Sequence, residues 1–140
     1  MRKKVLITGI SRGLGKELFN LFAMKNYFVY GILRNKSDQE EFQKKFPENS
    51  KIILADLTSD KSIELMKKSI QDNPIDLLIN NAGISGNSHL IQDVDSSEII
   101  ELFNIHCLGA FRTTKALSNN LIKAKNPMVL NLLNWAFKHT

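Results

Sequence analysis

The sequence has little of what stabilises secreted or membrane-embedded chains. Its 140 residues include one cysteine, Cys107. An internal disulfide bond is therefore excluded, and a reducing, cytoplasmic compartment is expected. No apolar run approaches the ~20 residues that a membrane-spanning helix needs. The apolar run that follows the basic N-terminus, Val5–Ile7, stops before Gly9 and is too short for the core of a signal peptide. No spacing of cysteine and histidine indicates zinc, so no metal site is predicted.

The composition is that of an ordinary globular domain. Hydrophobic residues make up 43% and charged residues 24% of the chain, which excludes a disordered chain. The length fits one domain over residues 1–140. The net charge of +5 is mild and favours an anionic ligand without establishing a nucleic-acid partner.

Short apolar segments alternate with helical patterns along the whole chain. Aliphatic and aromatic runs predict five strands, at Val5–Ile7, Tyr27–Leu33, Lys51–Ala55, Ile75–Ile79 and Met128–Leu133. Strict alternation of strands and helices with short loops predicts an α/β fold with a doubly wound parallel sheet.

Four helices are expected between these strands. The first has an apolar stripe of Leu14, Leu18, Leu21 and Phe22, and the third, marked by Ile63, Met66 and Ile70, ends near Asn73-Pro74. Ser37 is a candidate N-cap for the second helix. Ser96 or Ser97 is a candidate N-cap for a continuous fourth helix reaching Lys123. Its stripe comprises Ile99, Phe103, Cys107, Ala110, Thr114, Leu117 and Leu121.

A glycine-rich segment joins the first predicted strand to the first helix. It reads Thr8-Gly9-Ile10-Ser11-Arg12-Gly13-Leu14-Gly15, with glycines in a G-x-x-x-G-x-G spacing. Pyrophosphate requires close approach of the backbone to a helix N-terminus, and glycines permit that approach. Arg12 and Lys16 would add positive charge beside the site. An ordinary flexible turn is the alternative interpretation of this segment alone.

A second turn, Asn80-Asn81-Ala82-Gly83, follows the fourth strand. Ligands of parallel sheets bind beyond the carboxyl ends of the strands, where strands one and four would be neighbours. Either turn alone is weak evidence, because Asn/Gly turns are common. Both turns at the expected strand ends together indicate a dinucleotide site.

Together these motifs resemble the short-chain dehydrogenase/reductase family, over residues 4 to about 134. The resemblance implies a Rossmann-type sheet of five strands in the order 3-2-1-4-5, truncated relative to the full family fold. It implies that the first turn holds the cofactor, that Asn81, Ala82 and Gly83 line it, and that Asp56-Leu57 contacts its adenine. The expected cofactor-binding residues are Gly9, Ser11, Arg12, Gly13, Leu14, Gly15, Arg34, Asp56, Leu57, Asn81, Ala82 and Gly83.

The residues after the second strand indicate which nicotinamide cofactor binds. NAD sites place an acidic residue there, whereas NADP sites place an arginine. The strand ends in Leu33-Arg34-Asn35, and no carboxylate appears before Asp38. Arg34 and Arg12 are expected to hold the 2′-phosphate through charge-assisted bonds, so NADP(H) is predicted to be preferred and NAD(H) remains possible. Solvated arginines without this role are the alternative.

The chain departs from the family at the reacting groups. The resemblance implies an active site of Asn, Ser, Tyr and Lys, in which the Tyr and Lys are spaced as Y-x-x-x-K. The only tyrosines of this sequence, Tyr27 and Tyr30, begin no such pair. Aligned on Gly109, the family's asparagine position falls on His106, with Asn104 as the alternative register. The serine pair becomes Leu133-Asn134. No catalytic residue is therefore assigned. His106 is interpreted as a packed side chain, with a proton carrier as the alternative.

Three functions remain open from sequence. The first is an NADP(H)-binding oxidoreductase of the short-chain type, truncated and with little or no activity as the isolated chain. The second is a non-catalytic NADP(H)-binding module or sensor. The third, a nucleic-acid-binding domain, has only the net charge in its favour, so neither a nucleic acid nor a membrane is predicted as partner. A small carbonyl or alcohol substrate is expected only with the missing segment supplied, and the open edge of the fifth strand allows a homo-oligomer.

Overall fold

The computed structural model describes residues 2–87 and 90–132 of the chain. The strands are β1 (Lys4–Thr8), β2 (Phe28–Leu33), β3 (Ser50–Leu54), β4 (Leu77–Asn80) and β5 (Met128–Asn131). The helices are α1 (Gly13–Met24), α2 (Gln39–Lys45), α3 (Asp60–Ile70), α4 (Ser96–Phe103), α5 (Ala110–Ala116) and α6 (Ser118–Ile122). Short 3₁₀ turns lie at Lys36–Asp38 and Ile91–Asp93, and a π-helical turn, Asn104–Gly109, joins α4 to α5.

The five strands form one parallel sheet in the order β3-β2-β1-β4-β5. The predicted fold class and strand order are both confirmed. β1 lies at the centre, where Ile7 is paired with Gly31 on one side and Ile79 on the other. The chain changes direction across the sheet between β3 and β4, so the carboxyl ends of β1 and β4 form a switch point at which a ligand can lie between two crossovers.

The strands are apolar on both faces because helices cover both. On one face Val5 and Ile7 pack with Phe19 of α1 and Phe42 of α2. On the other face Leu6 packs with residues of α3 and α6 and with Leu117, which lies between α5 and α6; the α3 and α6 residues include Ile63, Met66 and Leu121. This alternation along β1 fixes the register of the central strand, since a shift by one residue would exchange its two faces.

The predicted apolar stripe of α1 is right for Leu18 and Phe22, which are partly buried against the core, and wrong for its other two residues. Leu14 and Leu21 are exposed, and the buried residues of the helix are Gly15, Phe19 and Ala23. These three residues recur every four positions and form one face of the helix. Gly15 determines which face of α1 is turned towards the sheet, because the absence of a side chain lets this face approach the end of β1.

The predicted continuous helix from Ser97 to Lys123 is also wrong. The π-helical turn at Asn104–Gly109 interrupts it, and Leu117 separates α5 from α6. As a result the predicted stripe is split: Ile99, Phe103 and Cys107 are exposed, whereas Leu117 and Leu121 are buried. Inserting the wider turn rotates the following helix, so residues that share a face in an uninterrupted helix no longer do.

The predicted helix caps require correction as well. Asp95 caps α4 in place of Ser96 or Ser97, and its carboxylate accepts hydrogen bonds from the amides of Ser97 and Glu98. Ser37 lies within a 3₁₀ turn before α2 and makes no capping bond. The third helix ends at Ile70, a little before Asn73-Pro74. A carboxylate at the start of α4 also interacts favourably with the helix dipole.

Candidate functional site

A cleft of ≈ 800 Å³ lies over the carboxyl ends of β1, β2, β3 and β4. All twelve residues predicted to bind a cofactor line it. The sequence reasoning missed further lining residues, which are Ile32, Leu33, Asn35, Asp38, Ala55, Thr58, Ile84 and Ile105. Most of these flank a predicted residue at a strand end, so their neighbours could have indicated them. Ile105 lies in the π-helical turn, which no pattern in the amino-acid sequence indicates.

The turns after β1 and β4 are joined by hydrogen bonds. The buried hydroxyl of Thr8 accepts from the amides of Asn81 and Ala82, both at 3.0 Å. In return the side-chain amide of Asn81 donates to the carbonyl oxygens of Thr8 and Gly9, at 3.0 and 2.9 Å. These reciprocal bonds fix the two turns in one arrangement at the switch point.

Two glycines allow this close approach. A Cβ atom on Gly15 would lie 2.1 Å from the carbonyl oxygen of Gly9 and 2.4 Å from Nδ2 of Asn81. A Cβ atom on Gly9 would lie 2.7 Å from Cα of Ala82, and Gly9 also has a φ of 73°. Any larger side chain at these positions would separate α1 from the strand ends.

The N-terminus of α1 faces the cleft without a cap. Arg12 precedes the helix and makes no capping bond with its side chain, and the first turn carries no acidic residue. Gly13 has a φ of 56°, and a Cβ atom there would meet open space. Backbone amides and the positive end of the helix dipole are thus presented to an open cradle, which fits a pyrophosphate group.

A second cationic side chain of the cleft is that of Arg34. Arg34 follows β2, is exposed and lines the cleft with Asp56. The pKa of Asp56 is lowered chiefly by the hydrogen bonds from the amide and hydroxyl of Thr58, with smaller contributions from the charges of Arg34 and Arg112. Asp38 also lines the cleft, so the cleft contains one carboxylate beyond the predicted set.

Lys16 does not contribute to the cleft as expected. Its ammonium group lies 3.7 Å from the carboxylate of Glu41 and 5.5 Å from the centre of the Phe42 ring. Both partners are on α2, so the lysine side chain joins α1 to α2 outside the cleft. The cationic side chains that line the cleft are those of Arg12 and Arg34.

His106 contacts the turn after β4. Its Nε2 atom lies 2.8 Å from the carbonyl oxygen and 3.3 Å from the amide nitrogen of Ile84. A neutral imidazole makes one of these bonds, according to which nitrogen carries the proton. Asn104, the alternative register, instead accepts a hydrogen bond from Arg112. Leu133 and Asn134, like His89 and His139, lie outside the described residues.

Both tyrosines pack against other parts of the structure and not in the cleft. Tyr30 is buried within β2, where burial raises the pKa of its hydroxyl, and it stacks edge-on against Phe28. Tyr27 packs edge-on against Phe22 of α1. Neither residue lines the cleft.

Within residues 2–87 and 90–132, no group of three or more histidine, cysteine, aspartate or glutamate side chains is placed to hold a metal ion. Over the same ranges, none of the helices has the length and apolar character needed to cross a bilayer.

The profile of the short chain dehydrogenase family matches residues 3–134. The chain belongs to the short chain dehydrogenase family. The resemblance inferred from the two turns is thereby confirmed, and the family is one of oxidoreductases.

Other short chain dehydrogenase family members are similar over most of this chain. The 3-oxoacyl-[acyl-carrier-protein] reductase of Vibrio cholerae is 29% identical over 132 residues, which cover 93% of this chain and 54% of that protein. A short-chain dehydrogenase structure from Streptomyces avermitilis superposes with a TM-score of 0.83 at 24% identity, covering 92% of this chain and 48% of that one. The structure of ElxO with NADP bound has a TM-score of 0.81 at 25% identity, with coverages of 92% and 54%. The chain thus spans about half the length of these relatives.

Proposed function

We propose that this chain is the dinucleotide-binding domain of a short-chain oxidoreductase, formed by residues 1–140, and that it binds NADP(H) in preference to NAD(H). The nicotinamide cofactor supplies hydride transfer when it is bound. The residues assigned to hold it are the twelve that the sequence indicates and that line the cleft. The proposal rests mainly on one observation: two arginines line the same cleft that the uncapped N-terminus of α1 faces.

The pyrophosphate would lie at the start of α1. The cradle at Gly13 is open, the helix has no acidic residue in its first turn, and Gly9 and Gly15 let the backbone of both turns come close. An anion gains from the helix dipole and from the backbone amides that lack partners within the helix.

The 2′-phosphate would lie between Arg12 and Arg34. Both guanidinium groups are exposed and line the cleft, so they are available to a ligand. Guanidinium binds phosphate through paired hydrogen bonds, and its charge is permanent. Asp38 is the residue that would favour the ribose hydroxyl of NAD(H), and its presence in the cleft keeps NAD(H) as a weaker ligand. ElxO, which is 25% identical, has been solved with NADP bound.

The test is a calorimetric titration of the purified chain with NADPH and with NADH. The variant is Arg34→Asp, and the matched control is Lys36→Asp, which makes the same change of charge two residues away on a side chain that does not line the cleft. We expect Arg34→Asp to weaken NADPH binding by about tenfold or more, since charge-assisted bonds to phosphate are each worth about 1.5–3 kcal/mol. The control should change it far less.

Equal affinities of the unmodified chain for NADPH and NADH would overturn the proposed preference. The same conclusion would follow if the two substitutions weakened NADPH binding equally, because the effect would then reflect net charge alone. Absence of binding to either cofactor would overturn the proposed function as a whole.

A non-catalytic NADP(H)-binding module or sensor is the second candidate. The observation in its favour is that the tyrosines of the 140 residues begin no Y-x-x-x-K pair and pack away from the cleft. We propose little or no turnover for this chain by itself, with a small carbonyl or alcohol substrate only where another segment supplies the reacting groups. A cytoplasmic location and a homo-oligomer remain predictions.

A further inference from the structure

Arg112 lies between the two walls of the cleft without lining it. It belongs to α5, and its side chain is only 20% exposed. One wall is the loop between β3 and α3, which contains Asp56 and Leu57. The other is the π-helical turn Asn104–Gly109 with the turn after β4. We propose that Arg112 is a positioning residue that holds these walls at the spacing a whole dinucleotide requires; the proposal rests on the NADP(H)-binding function above.

The guanidinium group of Arg112 contacts the first wall and the helix that follows it, α3. Nη1 donates to the carbonyl oxygen of Leu57 at 3.3 Å, and Nε donates to the carboxylate of Asp60 at 3.0 Å. Gly109, the last residue of the second wall, lies close to the first wall, since a Cβ atom at this position would lie 3.3 Å from Cβ of Leu57. The base of α5 is therefore in direct contact with the loop that the adenine would touch.

The same guanidinium group contacts the start of the second wall. Nη1 donates to Oδ1 of Asn104 at 2.8 Å and lies 3.5 Å from the carbonyl oxygen of that residue. Asn104 is the first residue of the π-helical turn, and the next residue, Ile105, lines the cleft. The bonds to Leu57 and Asn104 both come from Nη1, so this one nitrogen joins the two walls. A lysine ammonium group ends one bond short of the position of Nη1 and also lacks the donor that reaches Asp60.

The second wall continues from the π-helical turn to the turn after β4. The His106 ring, two residues beyond Asn104, lies against Gly83 and contacts both backbone polar groups of Ile84. Gly83 and Ile84 line the cleft at the end opposite Asp56 and Leu57. A continuous set of contacts thus runs from Leu57 through Arg112, Asn104 and His106 to Ile84.

Spacing of the walls matters only to a ligand that touches both. NADPH would touch both walls, whereas 2′,5′-ADP carries the adenine and the 2′-phosphate and would touch the first wall alone. Loss of Arg112 should therefore weaken the binding of NADPH much more than that of 2′,5′-ADP. Ordering two loose walls costs conformational entropy, which lowers the affinity only of a ligand that contacts both. A general loss of folding would weaken both ligands together.

The experiment compares Arg112→Met and Arg112→Lys with the unmodified chain in titrations with NADPH and 2′,5′-ADP. We expect both variants to lower the affinity for NADPH about tenfold and the affinity for 2′,5′-ADP less than about twofold. Asp60→Asn, which removes the charge of an exposed carboxylate but keeps an oxygen that can accept from Nε, should change NADPH binding less than about twofold. Lys123→Gln, which removes the exposed Lys123–Asp72 ion pair outside the cleft, is the control for loss of a surface ion pair.

Equal weakening of both ligands, or unchanged NADPH binding, would overturn the positioning role. A second measurement tests the positioning role of Arg112 without any ligand. It therefore still applies if the unmodified chain binds neither NADPH nor NADH, which is the result that would overturn the proposed function. In Arg112→Met, the nuclear Overhauser effect between the His106 ring and the Gly83 Hα protons should weaken, although neither residue touches Arg112. An unchanged effect would show that Arg112 does not hold the second wall.

Discussion

The imidazole of His106 lies directly against the Cα atom of Gly83. A Cβ atom at position 83 would lie 2.4 Å from Cε1 and 2.9 Å from Nδ1 of that ring. The glycine of the N-N-A-G turn is therefore required here by a neighbouring side chain, even though its own φ lies outside the left-handed region. This contact brings Nε2 of His106 to the backbone of Ile84 and gives the turn after β4 its second attachment, after that of Asn81 to β1.

Gly83→Ala should displace the imidazole from Ile84. We expect faster amide exchange at Ile84 in this variant, because its amide loses the nearby ring nitrogen, with only a small change in overall stability, since the ring is exposed and can rotate away. Hydrogen exchange followed by nuclear magnetic resonance measures this.

The matched test uses His106→Ala and the double variant. If the alanine acts through the ring, Gly83→Ala should change exchange at Ile84 no further once His106 is absent, which is a non-additive result. Additive effects of the two substitutions would contradict this explanation.

Thr8→Val should destabilise the switch point. The substitution keeps the shape of the side chain but leaves the amides of Asn81 and Ala82 without the hydroxyl that accepts from both. We expect a loss of about 1–3 kcal/mol in the free energy of unfolding, because these groups are then left unsatisfied. Urea denaturation measures it.

Thr8→Ser is the control, since it keeps the hydroxyl and removes only a buried methyl group worth about 0.8 kcal/mol. A larger loss in Thr8→Ser than in Thr8→Val would show that packing, and not the hydrogen bonds, is the dominant contribution of Thr8.

Thr58→Val should raise the pKa of Asp56. The bond from the backbone amide of Thr58, which is the largest cause of the lowered pKa, remains, but the bond from the hydroxyl is lost. The pKa should therefore move part of the way towards its ordinary value of 3.8. Carboxyl chemical shifts recorded against pH measure the pKa of Asp56. Thr58→Ser, which keeps the hydroxyl, should leave this pKa unchanged.

The sign of the stability effect follows from the lowered pKa. The folded state favours the carboxylate, so Asp56 contributes stability above pH 3.8, and this contribution is lost as the pH falls through the lowered pKa. In Thr58→Val the contribution should be smaller, and its loss on acidification, which begins near the ordinary value of 3.8 in both proteins, should be complete at a higher pH. An unchanged acid-denaturation profile would show that the hydroxyl bond does not favour the folded state.

The 140-residue chain should show no steady NADPH-dependent reduction of simple aldehydes, ketones or quinones. Carbonyl reduction needs a proton delivered as the hydride arrives, and loss of a general acid costs about 10²–10⁴-fold. The buried Tyr30 and the packed Tyr27 do not reach the cleft to supply it. The measurement is the protein-dependent decrease of NADPH absorbance.

The control is Gly13→Trp, which fills the open cradle at the start of α1. Turnover that requires the protein and disappears in Gly13→Trp would show that other residues of this chain carry out the proton transfer.

The sequence by itself determined the parallel sheet and the position of the cleft, and the family resemblance of its two turns implied the strand order. Alternating apolar runs and helices specify a parallel sheet, and the glycines at 9, 13 and 15 with Asn81 mark the two strand ends that meet. These signals are local in the chain: each reports a backbone that must turn sharply or approach closely within a few residues. With Arg34 from the rule on cofactor choice and Asp56-Leu57 from the family resemblance, twelve cleft residues could be named before their positions in space were known.

Only the tertiary structure decided which faces of the helices are buried and what joins the cleft walls. Apolar spacing selected Leu14 and Leu21 in α1, but Gly15 must meet the carbonyl of Gly9, so Phe19 and Ala23 are buried instead. The spacing of residues 97–123 likewise predicted one helix, whereas contacts of the π-helical turn with residues 57, 83 and 84 accompany its interruption. Arg112 bonds Leu57, 55 residues earlier in the chain, and a pairing over that distance leaves no periodic trace because it depends on how packed elements meet in space.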